Sequence, residues 1–191
     1  MRILPSNKAL WLPESILLLV ASFLLLIVIN LLNFNNHHEQ LGSKYNYYLL
    51  RKQSLQARNL SNAVSQVQNQ LTDISATLGL NQLDQGFSRA QEAVEIFHTG
   101  VANLRGLLIK GPLTRTPLDL DALTTRFDLY YAQGIEMANA YIQHGTMRGN
   151  EKMKVFDAQA DQLREILADW SGRQEQQTEH WQQKWSQNQE P

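Results

Sequence analysis

From Leu10 to Leu32 the chain reads LWLPESILLLVASFLLLIVINLL, with only Glu14 near its start and Asn30 near its end strongly polar. A helix that spans a bilayer needs ~20 mostly apolar residues at ~1.5 Å rise per residue. This run meets that length. Pro13 falls in the first turn, where its missing N–H costs least. The competing reading is a cleaved signal peptide, because the core 16–29 has the length of an h-region. Asn30, Leu31, Leu32, Asn33 and Phe34 follow it, with no small-x-small cleavage pattern, and that absence favours an uncleaved anchor over 10–33.

The flanks predict the orientation. Arg2 and Lys8 precede the run with no acid before Glu14, whereas Asn35, Asn36, His37, His38 and Glu39 follow it with no Lys or Arg before Lys44. The positive-inside rule places 1–9 in the cytoplasm and 34–191 outside it, in the periplasm of a Gram-negative cell. The expected location is a bacterial inner membrane, crossed once.

Beyond the run, apolar residues recur at alternating spacings of three and four, the mark of helices packed along a seam. Four such seams occur. They are Leu60, Val64, Val67, Leu71, Ile74, Leu78; Phe87, Ala90, Val94, Phe97, Val101, Leu104, Leu108; Leu120, Leu123, Phe127, Tyr130, Gly134, Met137, Tyr141; and Met153, Phe156, Ala160, Leu163, Leu167, Trp170. The first is expected to run from about His38 to Leu78 and the second from about Asp84 to Lys110. Gly79 stops the first, and Asp84 is positioned to cap the second. Gly111 and Pro112 stop the second, with Thr116 as cap and Pro117 as first residue of the third. Gly145 and Gly149 bracket the last turn, and Asn150 caps the fourth. Short connections make sequential helices antiparallel neighbours. The fold class is therefore all-α: one transmembrane helix, then an up-down four-helix bundle whose outer helix pair is longer than the inner pair. Past Trp170 the seam continues as Gln174 and Gln177, too polar for a full core. Trp181 and Trp185 lie one turn apart on a face expected near the bilayer surface with Trp11, or packed on Tyr45, Tyr47 and Tyr48 of the first helix. Tyr45, Tyr48 and Leu49 exceed what a two-helix stalk buries and are candidate contacts to a partner chain.

Chemistry is sparse. Eighteen acids against 17 bases leave no net field to draw the chain to nucleic acid, and the absence of cysteine removes thiolate metal sites and a cysteine nucleophile. No phosphate loop, GxSxG or HExxH motif occurs. His98, His144 and His180 lie on separate helices and read as solvated, and the cluster His37, His38, Glu39 sits in a polar collar after the apolar run. No enzyme, cofactor or metal is expected.

Two segments are more specific than bundle patterning requires: 67–87, VQNQLTDISATLGLNQLDQGF, and 127–157, FDLYYAQGIEMANAYIQHGTMRGNEKMKVFD. They resemble the extracytoplasmic four-helix input region of methyl-accepting chemotaxis proteins and related membrane histidine kinases. The resembling strings are 71–77, 83–87 and 137–142 with Gly79, Gly145, Gly149, Asn150, Phe156 and Asp157. The chain departs at Gln70, where the family pattern has an aromatic, and at Leu78, where it has a basic residue. No second apolar run follows before Pro191, so the resemblance extends to an input region without the second span and signalling module. It implies a sensory domain, a homodimer or a heterodimer with a full-length receptor, and a small-molecule ligand or binding protein as partner. The alternative is a non-sensing adaptor or structural bundle. The predicted topology gathers Asp73, Thr77, Arg89, Tyr141, His144 and Asn150 at the membrane-distal tip, and polar groups converging between helices are a default ligand site.

Overall fold

The computed structural model describes residues 14–77, 83–111 and 117–187. Among them are four helices and no strand: α1 (Glu14–Thr77), α2 (Leu83–Lys110), α3 (Leu120–His144) and α4 (Thr146–Gln187). The chain divides into two compact units, Met1–Ser43 and Lys44–Pro191.

In the first unit, every residue from Leu18 to Leu32 is exposed. The two polar side chains in this stretch bond to their own helix: Ser22 Oγ donates to the Leu19 carbonyl at 2.9 Å and Asn30 Nδ2 to the Leu26 carbonyl at 2.8 Å. Among the described residues no helix is long and apolar enough to cross a membrane. The side chains described in this unit run essentially from Leu18 to Leu32, short of the ~20 residues a span needs. Residues 10–13 of the expected anchor, with Trp11, lie outside the described residues, as do the side chains of His37, His38 and Glu39. The expected break between an anchor ending at 33 and a helix starting near His38 is absent, because α1 is continuous. No proline or glycine falls between Asn30 and Leu41 to interrupt it.

The second unit is a packed bundle. Gly100 of α2 lies against Gln56 and Leu60 of α1, and Gly86 against Ile74, so α2 runs antiparallel to α1. The Tyr130 hydroxyl donates to the Val64 carbonyl at 3.0 Å and Gly134 abuts Leu71, so α3 runs parallel to α1. Ser54 meets Glu175 and Gln68 meets Asp157, which makes α4 antiparallel to α1. The four seams are the core. Every described seam residue is buried except Phe87, Leu108 and Met153, which are partly buried against it. Two ring pairs lie at its centre. Phe97 stacks on Phe127 with centroids 3.6 Å apart, and Tyr130 on Phe156 at 4.7 Å. Gly134 is needed there, since a Cβ would fall 2.5 Å from both Leu71 and Phe156.

The ends of the helices correct the capping chemistry. Asp119, not Thr116, caps α3: its carboxylate accepts from the Asp121 and Ala122 N–H groups at 3.1 and 2.9 Å. Pro117 therefore precedes the helix, and Thr116 lies outside the described residues. Asp84 is the second residue of α2, not its cap. Asn150 is inside α4, because Gly145 alone turns the chain between α3 and α4. Its φ of 75° is accessible to glycine at little cost, and its N–H donates to the Tyr141 carbonyl at 3.1 Å.

Gln174 corrects a further expectation. It was assigned to a polar, open stalk and is fully buried, as is Gln53. The Ser54–Glu175 contact sets these two residues at one level of the bundle. Gln53 Nε2 donates to the Leu107 carbonyl at 3.1 Å, while both amide atoms of Gln174 and the indole N–H of Trp170 have no protein partner. Burying such groups unpaired costs about 1–3 kcal/mol. Gln174→Leu is therefore expected to raise stability by about 1–2 kcal/mol, read as a higher urea midpoint at unchanged slope. A lower midpoint would show that the amide is fully satisfied in solution.

Candidate functional site

The six tip residues come from the end of α1, the start of α2, the end of α3 and the start of α4. The structure brings one pair of them together. Tyr141 is buried, its hydroxyl donates to Asn150 Oδ1, and it sits 3.5 Å from Met153 Sδ. Gly149, one residue before Asn150, leaves room for the Tyr141 ring that a Cβ would occupy. Burial, followed by the charge of Asp157, pushes the Tyr141 phenol above its ordinary range. Thr77 is committed locally, its hydroxyl donating to the Asp73 and Ile74 carbonyls at 3.1 and 3.2 Å. Asp73, Arg89 and His144 are exposed, and no ion pair joins Asp73 to Arg89 among the described residues.

On lower α1, Tyr45 and Tyr48 are exposed, with the Lys52 ammonium 4.6 Å from the Tyr48 ring centre. Leu49, grouped with them as a partner contact, is instead buried inside its own chain. One residue along a helix turns the side chain by about 100°, which carries Leu49 onto the core face beside Leu50. Trp181 is partly exposed, and the side chain of Trp185 lies outside the described residues. His98 also departs from the solvated reading. Its Nε2 is 3.0 Å from Asp128 Oδ1, and its ring meets Phe97 and Phe127 edge-on. Among the described residues no group of three or more His, Cys, Asp or Glu side chains is arranged to hold a metal.

Two polar features were not singled out from the sequence. The first is a small network between α1 and α4, in which Glu175 Oε1 accepts from Ser54 Oγ at 2.6 Å and from Arg58 at 2.5 Å. The second is a groove of about 780 Å³ between α1 and α2, lined by Gln56, Asn59, Asn62, Gln66, Glu92, Glu95, Thr99 and Asn103 over a floor that includes Ala63 and Gly100. These polar residues sit opposite or beside the core seams, so by periodicity alone they read as solvated faces. The signal that separates them is pairwise, and it needs the register of α1 against α2.

Comparison of the chain with family models, with curated proteins and with solved structures finds no match. A functional reading therefore rests on the residues and their placement.

Proposed function

We propose that this chain is a membrane-anchored, extracytoplasmic sensory input domain that performs no catalysis. The observation that carries the anchoring is the exposed apolar stretch 18–32, whose two polar side chains are satisfied on their own helix backbone. A contiguous exposed apolar surface marks an interaction site, and internal satisfaction of polar groups is what hydrocarbon demands. The sequence extends this stretch back to Leu10, giving the length of a span. Arg2 and Lys8 orient it with the N-terminus in the cytoplasm and the bundle in the periplasm. The sensory role is supported by the resemblance of 67–87 and 127–157 to chemoreceptor input regions, and Tyr45, Tyr48 and the exposed Leu55 form the surface offered to a second copy or a full-length receptor.

An adaptor bundle without a ligand is the second reading. It is favoured by the internal commitment of Thr77, Tyr141 and Asn150, which leaves fewer free groups at the tip.

Because the chain has no cysteine, single cysteines report topology cleanly. Ser6→Cys and Gln177→Cys variants are expected in the membrane fraction after alkaline extraction. A membrane-impermeant maleimide added to spheroplasts should label the Gln177→Cys variant, and the Ser6→Cys variant only after permeabilisation. Recovery of both in the soluble fraction rejects the anchor. Inverted labelling rejects the orientation. A thermal-shift screen against small metabolites then separates sensor from adaptor: saturation at ~100 times the dissociation constant stabilises by ~2.7 kcal/mol.

A further inference from the structure

The groove between α1 and α2 has a chemistry of its own. Four amides on α1 (Gln56, Asn59, Asn62, Gln66) face Glu92, Glu95, Thr99 and Asn103 on α2. None of these eight polar side chains has a hydrogen-bond or ion-pair partner among the described residues. Polar side chains elsewhere on the bundle do find partners, for example Arg58 on Glu175, Arg105 on Asp121 and Lys152 on Glu136. The groove's depth is built into the helix contact. Gly100 lets α2 approach α1 so closely that a Cβ there would fall 2.6 Å from Leu60 and 2.9 Å from the Gln56 amide. Ile96, 54% exposed, offers one apolar contact in the wall.

Charge is unevenly distributed along it. Glu92 and Glu95 are the charged residues of the lining, and no Lys or Arg lines it. The antiparallel register sets Gly100 against Leu60, so the two carboxylates lie toward the Gln66 end while Asn103 lies toward the Gln56 end. Ten residues of helix separate those ends, about 15 Å at the α-helical rise. The volume falls within the ~300–1,000 Å³ typical of small-molecule sites. Carboxylates accept only, whereas each amide both donates and accepts. The occupant such walls match is therefore elongated, cationic at one end and neutral but hydrogen-bonding along the rest.

We propose that this groove binds an elongated organic amine, its ammonium group at Glu92 and Glu95 and a hydroxyl- or amide-bearing body along the α1 amides, Thr99 and Asn103. An amino sugar oligomer has this chemistry. The site is separate from the tip residues and holds whether or not 18–32 lies in lipid, so its failure and that of the anchoring are distinguishable.

The test is calorimetric titration of the full chain in nonionic detergent with three probes: the β-1,4-linked glucosamine disaccharide, its neutral N,N′-diacetyl counterpart, and spermidine. The disaccharide amine is expected to bind saturably at one equivalent. Acetylation and the double substitution E92Q/E95Q should each weaken it at least tenfold, with the melting temperature of the variant unchanged. Both substituted positions are exposed. Undiminished binding to E92Q/E95Q, or equal binding of the acetylated sugar, overturns the role of the carboxylates. Spermidine binding without disaccharide binding overturns the role of the amides. No heat with any probe overturns the site.

Discussion

Phe127→Ala is expected to destabilise the bundle by about 3–5 kcal/mol, the range for deleting a buried aromatic ring. Phe127 is fully buried in α3, stacked on Phe97 of α2 within 3° of parallel and 5.9 Å from the Tyr130 ring centre. Truncation removes the transfer free energy of the ring and leaves a cavity. Stacked rings that are both buried in opposing helices have little room to collapse into it. A domain of this size has ~5–15 kcal/mol in total, so the loss is a large fraction of what holds α2 to α3. Urea unfolding followed by circular dichroism measures it. Leu129→Ala is the control, on the same helix but with an exposed side chain, and should change stability by no more than ~0.5 kcal/mol. A cost below ~1 kcal/mol for Phe127→Ala would mean that α2 and α3 do not pack through this ring pair.

Alkaline pH is expected to unfold the bundle through Tyr130. Its phenol is buried and donates to the Val64 carbonyl, and burial pushes it well above the ordinary tyrosine range. The nearby charges act less strongly and in opposite directions, Arg164 lowering it and Asp157 raising it. In the unfolded chain the phenol ionises near pH 10. Below that pH both states hold the proton and this group leaves stability unchanged. Above it the unfolded state releases a proton that the folded state keeps, so stability falls as pH rises, at about 1.4 kcal/mol per unit until the folded phenol ionises. Two units above pH 10 this amounts to about 2.7 kcal/mol. Tyr131 and Tyr141, raised in the same direction by burial, add to the slope. Urea midpoints between pH 9 and 12 read the effect. Tyr130→Phe loses about 1 kcal/mol at neutral pH with the hydrogen bond, and flattens the alkaline slope by one proton. A variant with the same alkaline slope as the parent would place the titration elsewhere.

Much of the bundle could be read from spacing because the information is local. Alternating steps of three and four keep one side of a helix apolar whatever its neighbours are, and so Leu60 through Ile74, Ala90 through Leu104, Leu120 through Tyr141 and Phe156 through Trp170 are the core. The turn at Gly145 was likewise legible, since few residues other than glycine are comfortable at its φ. The caps were less so. Thr116 and Asp119 are both acceptable capping residues, and which one the helix uses depends on where Leu120 must begin to enter the core.

The sites were least legible, for a different reason. Asp73, Thr77, Arg89, Tyr141, His144 and Asn150 all belong to helix ends that topology sends toward one another, but a helix end spans a circumference. Only Tyr141 and Asn150 turn toward each other, because the single-glycine turn sets the rotation of α4 on α3. Leu49 and Gln174 show the same limit from the core side. Hydrophobicity predicts burial well for leucine and poorly for glutamine, yet both are buried because α1 and α4 remain in contact past the point where the seam turns polar. One-dimensional periodicity thus determined that the chain is helical, which face of each helix is apolar, and that one stretch is too apolar for its exposed setting. The rotation and register of each helix on its neighbours, which decide whether Glu92 faces Gln66 or open water, arise from side-chain packing across helices and exist only once the helices are together.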